Sequence, residues 1–186
     1  ILFCISEVDR LNHMVDQLLL LARFENQKQN VKQETIYLNA LVLDNLTRFS
    51  EKSESKKLKI KTQFSEDYYL ISDNYLVSII ISNLISNAIK YSNPNGEIAI
   101  ELGKTSDVVT FSITDYGVGI AKNDLDKIFN SFYRSDVSNH PEIKGTGLGL
   151  SIVKRLCDLL KLEIAVESDL NQGTKFVLSF PLAKLK

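Results

Sequence analysis

The sequence predicts an α/β domain from Glu34 onward, preceded by one long amphipathic helix of the kind that packs in bundles. Three observations carry this expectation. Apolar residues recur at Cys4, Val8, Leu11, Val15, Leu18 and Ala22, alternately four and three apart, which is a heptad seam. Beyond Glu34, short apolar runs of strand length alternate with longer runs of helical period. The break Asn93-Pro94-Asn95-Gly96 is followed by two apolar runs, Glu97–Gly103 and Val108–Asp115, that read as a hairpin.

Each element follows from its local pattern. Ile1, Ile5, Met14 and Leu21 widen the heptad stripe over residues 1–28, so that helix needs partners, most simply a second helix of the chain and their copies in a dimer. The polar run Glu25–Lys32 ends it, and a linker is placed at 29–33, with the main domain at 34–186. A strand at Glu34–Tyr37 leads to Asn39, expected to cap a helix from about Ala40 to Glu54. Strands at Leu58–Phe64 and Tyr68–Ile71 precede a long helix from Asp73 to Tyr91. After Gly117 and Gly119 comes a polar stretch of roughly twenty-five residues with a weak helix at Asn123–Phe129. A weakly structured stretch of that length, bounded by glycines, reads as a functional lid. A helix from Leu148 to Leu160 and strands at Glu163–Ser168 and Thr174–Phe180 close the chain.

Composition narrows the function. The 186 residues suffice for one sizeable α/β domain and a helical appendage. Lys+Arg at 22 against Asp+Glu at 23 leaves a net charge of −1, without the basic excess that phosphate-backbone binding requires, so nucleic acid is not an expected partner. Cys4 and Cys157 are far apart within apolar helical patterns and read as small buried hydrophobes, as in a reducing compartment. The apolar run Leu18–Ala22 is far too short to span a bilayer. No signal-peptide pattern precedes it, and a start at Ile1 inside a helical pattern suggests a piece of a longer protein.

Three constellations carry chemistry. Asn83, Asn87, Lys90 and Tyr91 share one face of the long helix, while Ile80, Leu84 and Ala88 point elsewhere. Two carboxamides, an ammonium and a ring in a row suit a metal-bound polyphosphate, or a plain polar helix face. Asp115-Tyr116-Gly117-Val118-Gly119-Ile120 follows an apolar strand. Its carboxylate can accept from an exocyclic amine such as adenine presents, and its glycines allow close backbone approach; an Asp-containing turn is the plainer reading. Gly145-Thr146-Gly147-Leu148-Gly149-Leu150, after Lys144, runs into a helix N-terminus, where unpaired N–H groups can face phosphates. The segment before it is no strand and no Lys-Ser/Thr ends the run, so neither a Rossmann nor a P-loop reading holds.

Taken in order, these motifs resemble the catalytic domain of bacterial two-component sensor histidine kinases, in the wider GHKL superfamily with gyrase and the Hsp-type chaperones. Asn83–Tyr91 is similar to the family's asparagine box and Asp115–Ile120 to its first glycine box. Phe129-Asn130-Ser131-Phe132-Tyr133-Arg134 is similar to its phenylalanine box, Gly145–Leu150 to its second glycine box, and Gly173-Thr174 to its closing Gly-Thr element. The resemblance implies the Bergerat ATP-binding fold: a two-layer α/β sandwich with a mixed sheet of about five strands and helices on one face. It further implies ATP and Mg²⁺ as ligands. Asn87 would hold the metal with support from Asn83, Lys90 would meet phosphate, and Tyr91 the nucleoside. Asp115 would take the adenine amine with Thr174 nearby, and Gly117, Gly119 and Ile120 would line the base. Lys144 to Leu150 would cover the phosphates, and Arg134 would approach the γ-phosphate as the catalytic cation. Phe129 and Phe132 read as packing residues that set the lid.

The resemblance also selects a branch. Hydrolysing relatives use a glutamate four residues before the metal-binding asparagine as general base; here that position is Asn83, which takes no proton at neutral pH. Phosphoryl transfer to a histidine, and thence to a response-regulator aspartate, is therefore expected over hydrolysis, and residues 1–28 resemble the second helix of the dimerisation hairpin. The acceptor histidine with its acidic and Arg-Thr-Pro-like neighbours is missing: His13 lacks them and His140 reads as lid surface. The fragment should bind nucleotide without labelling itself, and the intact protein is expected to be a membrane-anchored homodimer. Two departures stand out: Tyr116 is bulky for the first glycine box, and Leu160-Lys161-Leu162 replaces a turn that usually holds His-Gly-Gly. An ATP-hydrolysing member and a non-catalytic nucleotide-binding scaffold remain the alternatives.

Overall fold

The computed structural model describes residues 31–135 and 145–182, with Val15 and Leu19; the expected bundle helix, Cys4, His13, His140 and Lys144 lie outside the described residues. The elements run β1 (Glu34–Tyr37), α1 (Leu38–Arg48), α2 (Ser50–Ser55), β2 (Lys59–Phe64), β3 (Tyr69–Ser72), α3 (Asn74–Tyr91), β4 (Glu97–Lys104), β5 (Val108–Asp115), α4 (Gly149–Leu160), β6 (Glu163–Asp169) and β7 (Gly173–Pro181). Five strands form a mixed sheet in the order β2-β4-β5-β7-β6, with β2 parallel to β4 and every other pair antiparallel. β1 and β3 pair separately as a two-stranded antiparallel ribbon.

Alternation along the strands builds the two layers. Ile98, Ile100 and Leu102 of β4, Val109, Phe111 and Ile113 of β5, and Phe176, Leu178 and Phe180 of β7 are buried. Their sequence neighbours on the other face include Glu101, Thr110, Thr114, Lys175 and Ser179, as expected for a sheet with one face covered. α3 supplies the cover: Leu76, Val77, Ile80, Ile81, Leu84, Ile85, Ala88 and Ile89 are buried, and the helix packs on β5, α1 and α4. Its ends are fixed by side chains. Asp73 accepts from the Leu76 N–H at 3.1 Å, a regular N-cap. At the other end the Lys56 ammonium donates to the carbonyls of Ile89, Lys90 and Ser92 at 3.0, 2.7 and 3.1 Å, so a cation satisfies carbonyls that the helix itself leaves open.

From Glu34 onward the long elements stand where the periodicity puts them, and several local expectations fail. Asn39 is not a cap: α1 already begins at Leu38, and the buried Asn39 amide donates to the Glu66 carbonyl and accepts from the Tyr68 N–H, both at 2.9 Å. The helix expected through Glu54 breaks at Phe49 into α1 and α2. No helix forms at Asn123–Phe129; a 3₁₀ turn at Lys122–Asp124 is followed by further turns. The turn at Leu160-Lys161-Leu162 is made without glycine. Lys161 takes φ 56°, and the Leu162 N–H closes onto the Cys157 carbonyl at 2.8 Å, a Schellman arrangement. Cys157 is a buried hydrophobe as expected, its thiol pushed up to about 12 chiefly by burial. Among the described residues no helix is long and apolar enough to cross a membrane.

Candidate functional site

The site lies where the apolar rows of the sheet run out. On the helix-facing side of β5 the sequence Val109, Phe111, Ile113 ends in Asp115; on β7 Phe180, Leu178, Phe176 ends in Thr174; on β6 Ile164, Val166 ends in Ser168. The register sets Asp115 opposite Thr174 and Thr174 opposite Ser168. Residues directly opposite in an antiparallel pair share a face, so these three form one polar row at the end of the core. A cavity of about 710 Å³ opens over it, bounded by Asn87 and Tyr91 of α3, the loop after β5, and Tyr133 and Arg134. That volume suits a small organic ligand.

Asp115 is the chemical centre of the cavity. It is 4% exposed. Burial pushes its carboxyl up to about 6, against the opposing pull of N–H donors from Gly117, at 3.0 Å, and Thr174. Lys90, half-buried on α3, shows the complementary effect: burial, and then the nearby Arg134 and Lys56, bring its ammonium down to about 8. Its Nζ donates to the Tyr91 hydroxyl at 3.2 Å and lies 4.8 Å from the centre of that ring. Burial raises the Tyr91 hydroxyl above its ordinary value.

Part of the set singled out in the sequence converges here, while Gly145 to Gly149 pass beside the cavity without lining it. Asn87, Tyr91, Asp115, Gly119, Ile120, Arg134, Leu150 and Thr174 all line the cavity, and Gly117 donates to its carboxylate. Among the described residues no hydrogen bond ties up the Asn87 carboxamide. Asn83 and Lys90 share the helix face without lining the cavity: the Asn83 amide donates back to the Ile79 carbonyl at 2.9 Å. Both instead mark where the second glycine run passes α3, for a Cβ at Gly145 would strike the Lys90 ammonium and one at Gly149 the Asn83 side-chain oxygen. Thr146 accepts from the Leu148 N–H at 3.3 Å, which shapes that turn. The Leu148 side chain is a core residue with no exposure, so only its backbone is available to a ligand.

Three described glycines have positive φ, Gly119, Gly147 and Gly173, and the first two shape the loops around the cavity. Gly119 has φ 68° and sits against the Asp169 carbonyl; Gly147 has φ 74° and sits against the backbone of Phe132 and Tyr133. Phe129 packs on the core as expected, but Phe132 does not: it is 61% exposed, and its contribution is a backbone N–H donated to the Gly147 carbonyl at 2.9 Å. Tyr116 points to solvent and touches no part of the cavity. Sequence reasoning missed Ser168, Asn171 and the Asp124–Tyr133 pair. The Tyr133 hydroxyl donates to Asp124 at 2.7 Å, joining the turn after the first glycine box to the phenylalanine box. Ser168 had no motif to announce it and becomes visible only through strand register.

Residues 72–184 match the family described as histidine kinase-, DNA gyrase B-, and HSP90-like ATPase. The chain belongs to this ATPase family. Within it, the chain is similar to the sensor protein RprX of Bacteroides fragilis (strain YCH46), 33% identical over 182 residues, which are 96% of this chain and 35% of RprX. Among solved structures, the Acinetobacter baumannii histidine kinase AdeS superimposes with a TM-score of 0.81 at 26% identity, over 97% of this chain and 82% of that one. The histidine kinase ThkA, solved in complex with the response regulator protein TrrA, superimposes with a TM-score of 0.75 at 24% identity, over 95% of this chain and 48% of that one; at that identity the likeness is one of fold. The shared region is the ATP-binding catalytic domain of two-component sensor kinases. The chain spans 35%, 46% and 29% of the lengths of three sensor kinases that it matches.

Proposed function

We propose that the cavity binds Mg-ATP and that the intact protein transfers the γ-phosphate to a histidine on another helix, from which a response-regulator aspartate takes it. The observation that carries this reading is the buried Asp115 acceptor, in one cavity with Asn87, Tyr91 and Arg134. Asp115 accepts from the adenine amine and Tyr91 packs against the nucleoside. Lys90 and the Gly145–Leu150 backbone meet the phosphates, and Arg134 faces the γ-phosphate, where it offsets charge developing during transfer. Catalysis of this kind rests on positioning and charge, and among the described residues the cavity's carboxylates are both engaged, Asp115 by two N–H groups and Asp124 by Tyr133. Water activation is correspondingly weak, which favours transfer over hydrolysis.

The donor set fits magnesium carried by the nucleotide. Among the described residues no cluster of His, Cys, Asp or Glu could hold a metal alone. Mg²⁺ is commonly held by one or two protein oxygens with phosphates and water completing its shell, and the unengaged Asn87 carboxamide offers one such oxygen. When bound, the ion would neutralise phosphate charge. The same reading makes residues 1–28 part of a dimerisation hairpin, residues 29–33 a linker and 34–186 the catalytic domain. It makes the receiver domain of a response regulator the downstream partner, as the complex of ThkA with TrrA illustrates for that kinase. It also makes the intact protein a membrane-anchored homodimer.

Titration calorimetry tests the metal assignment. The native chain is expected to bind ATP with micromolar-range affinity in the presence of Mg²⁺, and Asn87→Ala to lose the magnesium-dependent part of that affinity. An affinity equally dependent on Mg²⁺ in both proteins would refute the role of Asn87.

The pH profile is a second test. Asp115 loses its role as acceptor as pH falls through about 6, and Lys90 loses its positive charge as pH rises through about 8. Affinity for Mg-ADP should therefore peak between those values. Asp115→Asn should remove the acid limb, and Lys90→Arg, whose cation does not titrate in this range, should flatten the alkaline limb.

A further inference from the structure

We propose that Ser168 sets the base preference of the cavity by fixing the direction in which the Thr174 hydroxyl donates. The inference rests on reading the cavity as the adenine site. It follows from a count of protons. A hydroxyl has one proton to donate and two lone pairs to accept with. Ser168 Oγ lies 2.7 Å from the Gly173 carbonyl oxygen, which can only accept, so the serine proton is directed there. The Ile120 N–H donates to the same Oγ at 2.8 Å. The remaining contact, 3.0 Å between Ser168 Oγ and Thr174 Oγ1, must then be made by the threonine proton.

Thr174 is 6% exposed and lines the cavity. With its single proton turned toward β6, it offers the cavity only lone pairs. Its neighbour across the strand pair, Asp115, offers carboxylate lone pairs and is held by the N–H groups of Gly117 and Thr174. This end of the cavity is thus built of acceptors on two adjacent strands. Acceptors receive the exocyclic amine of a 6-aminopurine and repel the carbonyl of a 6-oxopurine. A site that leaves a buried polar group facing a like partner discriminates strongly. Ser168 touches no ligand in this scheme; it is a positioning residue acting through Thr174. Without its oxygen the Thr174 hydroxyl is free to rotate and donate to a 6-oxo group, leaving Asp115 as the one enforced acceptor.

The test compares ADP with inosine diphosphate (IDP), binding measured calorimetrically with Mg²⁺ near neutral pH on the whole chain. The native protein is expected to prefer ADP by ~100-fold or more. Ser168→Ala should lower that ratio roughly tenfold, mainly through tighter IDP binding, the scale of one hydrogen bond gained. Ser168→Thr, which keeps the hydroxyl, should retain the native ratio. Thr174→Val should also lower the ratio, and adding Ser168→Ala to it should change nothing further, because coupled residues are not additive. A Ser168→Ala ratio within twofold of native overturns the assignment. So does an undiminished effect of Ser168→Ala in the Thr174→Val background, which would trace the change to the freed Ile120 N–H. If Ser168→Ala does not fold, Ser168→Cys, whose thiol is a weak donor and acceptor, should give a ratio between those of native and Thr174→Val, and a native ratio there overturns the assignment. Asp115→Asn separates the two levels. Undiminished ADP binding in that variant sinks the adenine-site reading itself, whereas loss of ADP binding with a native ratio in Ser168→Ala sinks only the role of Ser168.

Discussion

Asp115→Asn is expected to weaken ADP binding by roughly 100-fold, about 2.7 kcal/mol, while leaving the domain folded. The substitution keeps the shape of the side chain and one oxygen, which can stay with the Gly117 N–H that meets Oδ1 at 3.0 Å. It replaces the other oxygen, the acceptor assigned to the adenine amine, with an NH₂ donor, so a hydrogen bond to a charged group becomes a donor–donor clash. Stability should move the other way. Burial raises the Asp115 carboxyl to about 6, so above that pH the folded state carries a carboxylate that it holds less well than the unfolded chain does. Sign follows from linkage: between the ordinary value and about 6 the folded state binds more protons, and stability falls as pH rises through that window. A neutral asparagine removes that penalty, so the melting temperature at neutral pH should be unchanged or higher. Calorimetry and a thermal melt on the same sample distinguish loss of the acceptor from loss of the fold. A melting temperature that collapses together with binding would mean that Asp115 is primarily structural.

Gly119→Ala is expected to lower stability by roughly 3 kcal/mol and with it nucleotide binding. A Cβ there would run into the Asp169 carbonyl, and the backbone φ of 68° is one that an L side chain adopts only with strain. Relief requires moving the loop from β6, which breaks the Asn171 N–H bond to the Val118 carbonyl and the Ile120 N–H bond to Ser168, both 2.8 Å. For a domain of this size such a loss corresponds to a fall in melting temperature of roughly 10 °C. Gly103→Ala is the matched comparison. Gly103 lies within β4 without a positive φ, and its added Cβ meets only the Thr110 hydroxyl at 3.0 Å. It should melt within a few degrees of the native protein. Equal melting temperatures for the two variants would show that the Gly119 turn can relax without cost.

The sequence expectations succeeded where information is local and failed where a partner decides. The run from Ile79 to Tyr91 repeats buried and polar positions at helical spacing, so both α3 and the side on which Asn83, Asn87, Lys90 and Tyr91 stand follow from local periodicity alone. The same holds for the hairpin β4–β5, whose turn and alternation are written within one stretch of chain. Asn39 shows the limit. As a residue type just before an apolar run it signals a cap, but a buried hydrogen-bonding partner in the Glu66–Tyr68 loop draws it inside the helix. Phe132 shows another, since an aromatic in a motif reads as a packing residue while the fold leaves its ring exposed and uses its backbone N–H.

By itself, then, the sequence determined the α/β class, the order of the long elements, and the motif residues that converge on the cavity. These depend on period, on turn chemistry and on residue type, which act over a few positions along the chain. Only the tertiary structure decided that Asp115, Thr174 and Ser168 form one row across β5, β7 and β6, that Lys56 closes the end of α3, and that Tyr133 is tied to Asp124. Strand register and helix-end contacts join residues distant in sequence, and a shift of one residue in the pairing of β5, β7 or β6 would turn Asp115, Thr174 or Ser168 out of that row. The direction of a hydroxyl proton on Thr174 is the extreme case: it follows from three distances at Ser168, involving β6, the loop at Ile120 and the start of β7, and no local pattern encodes it.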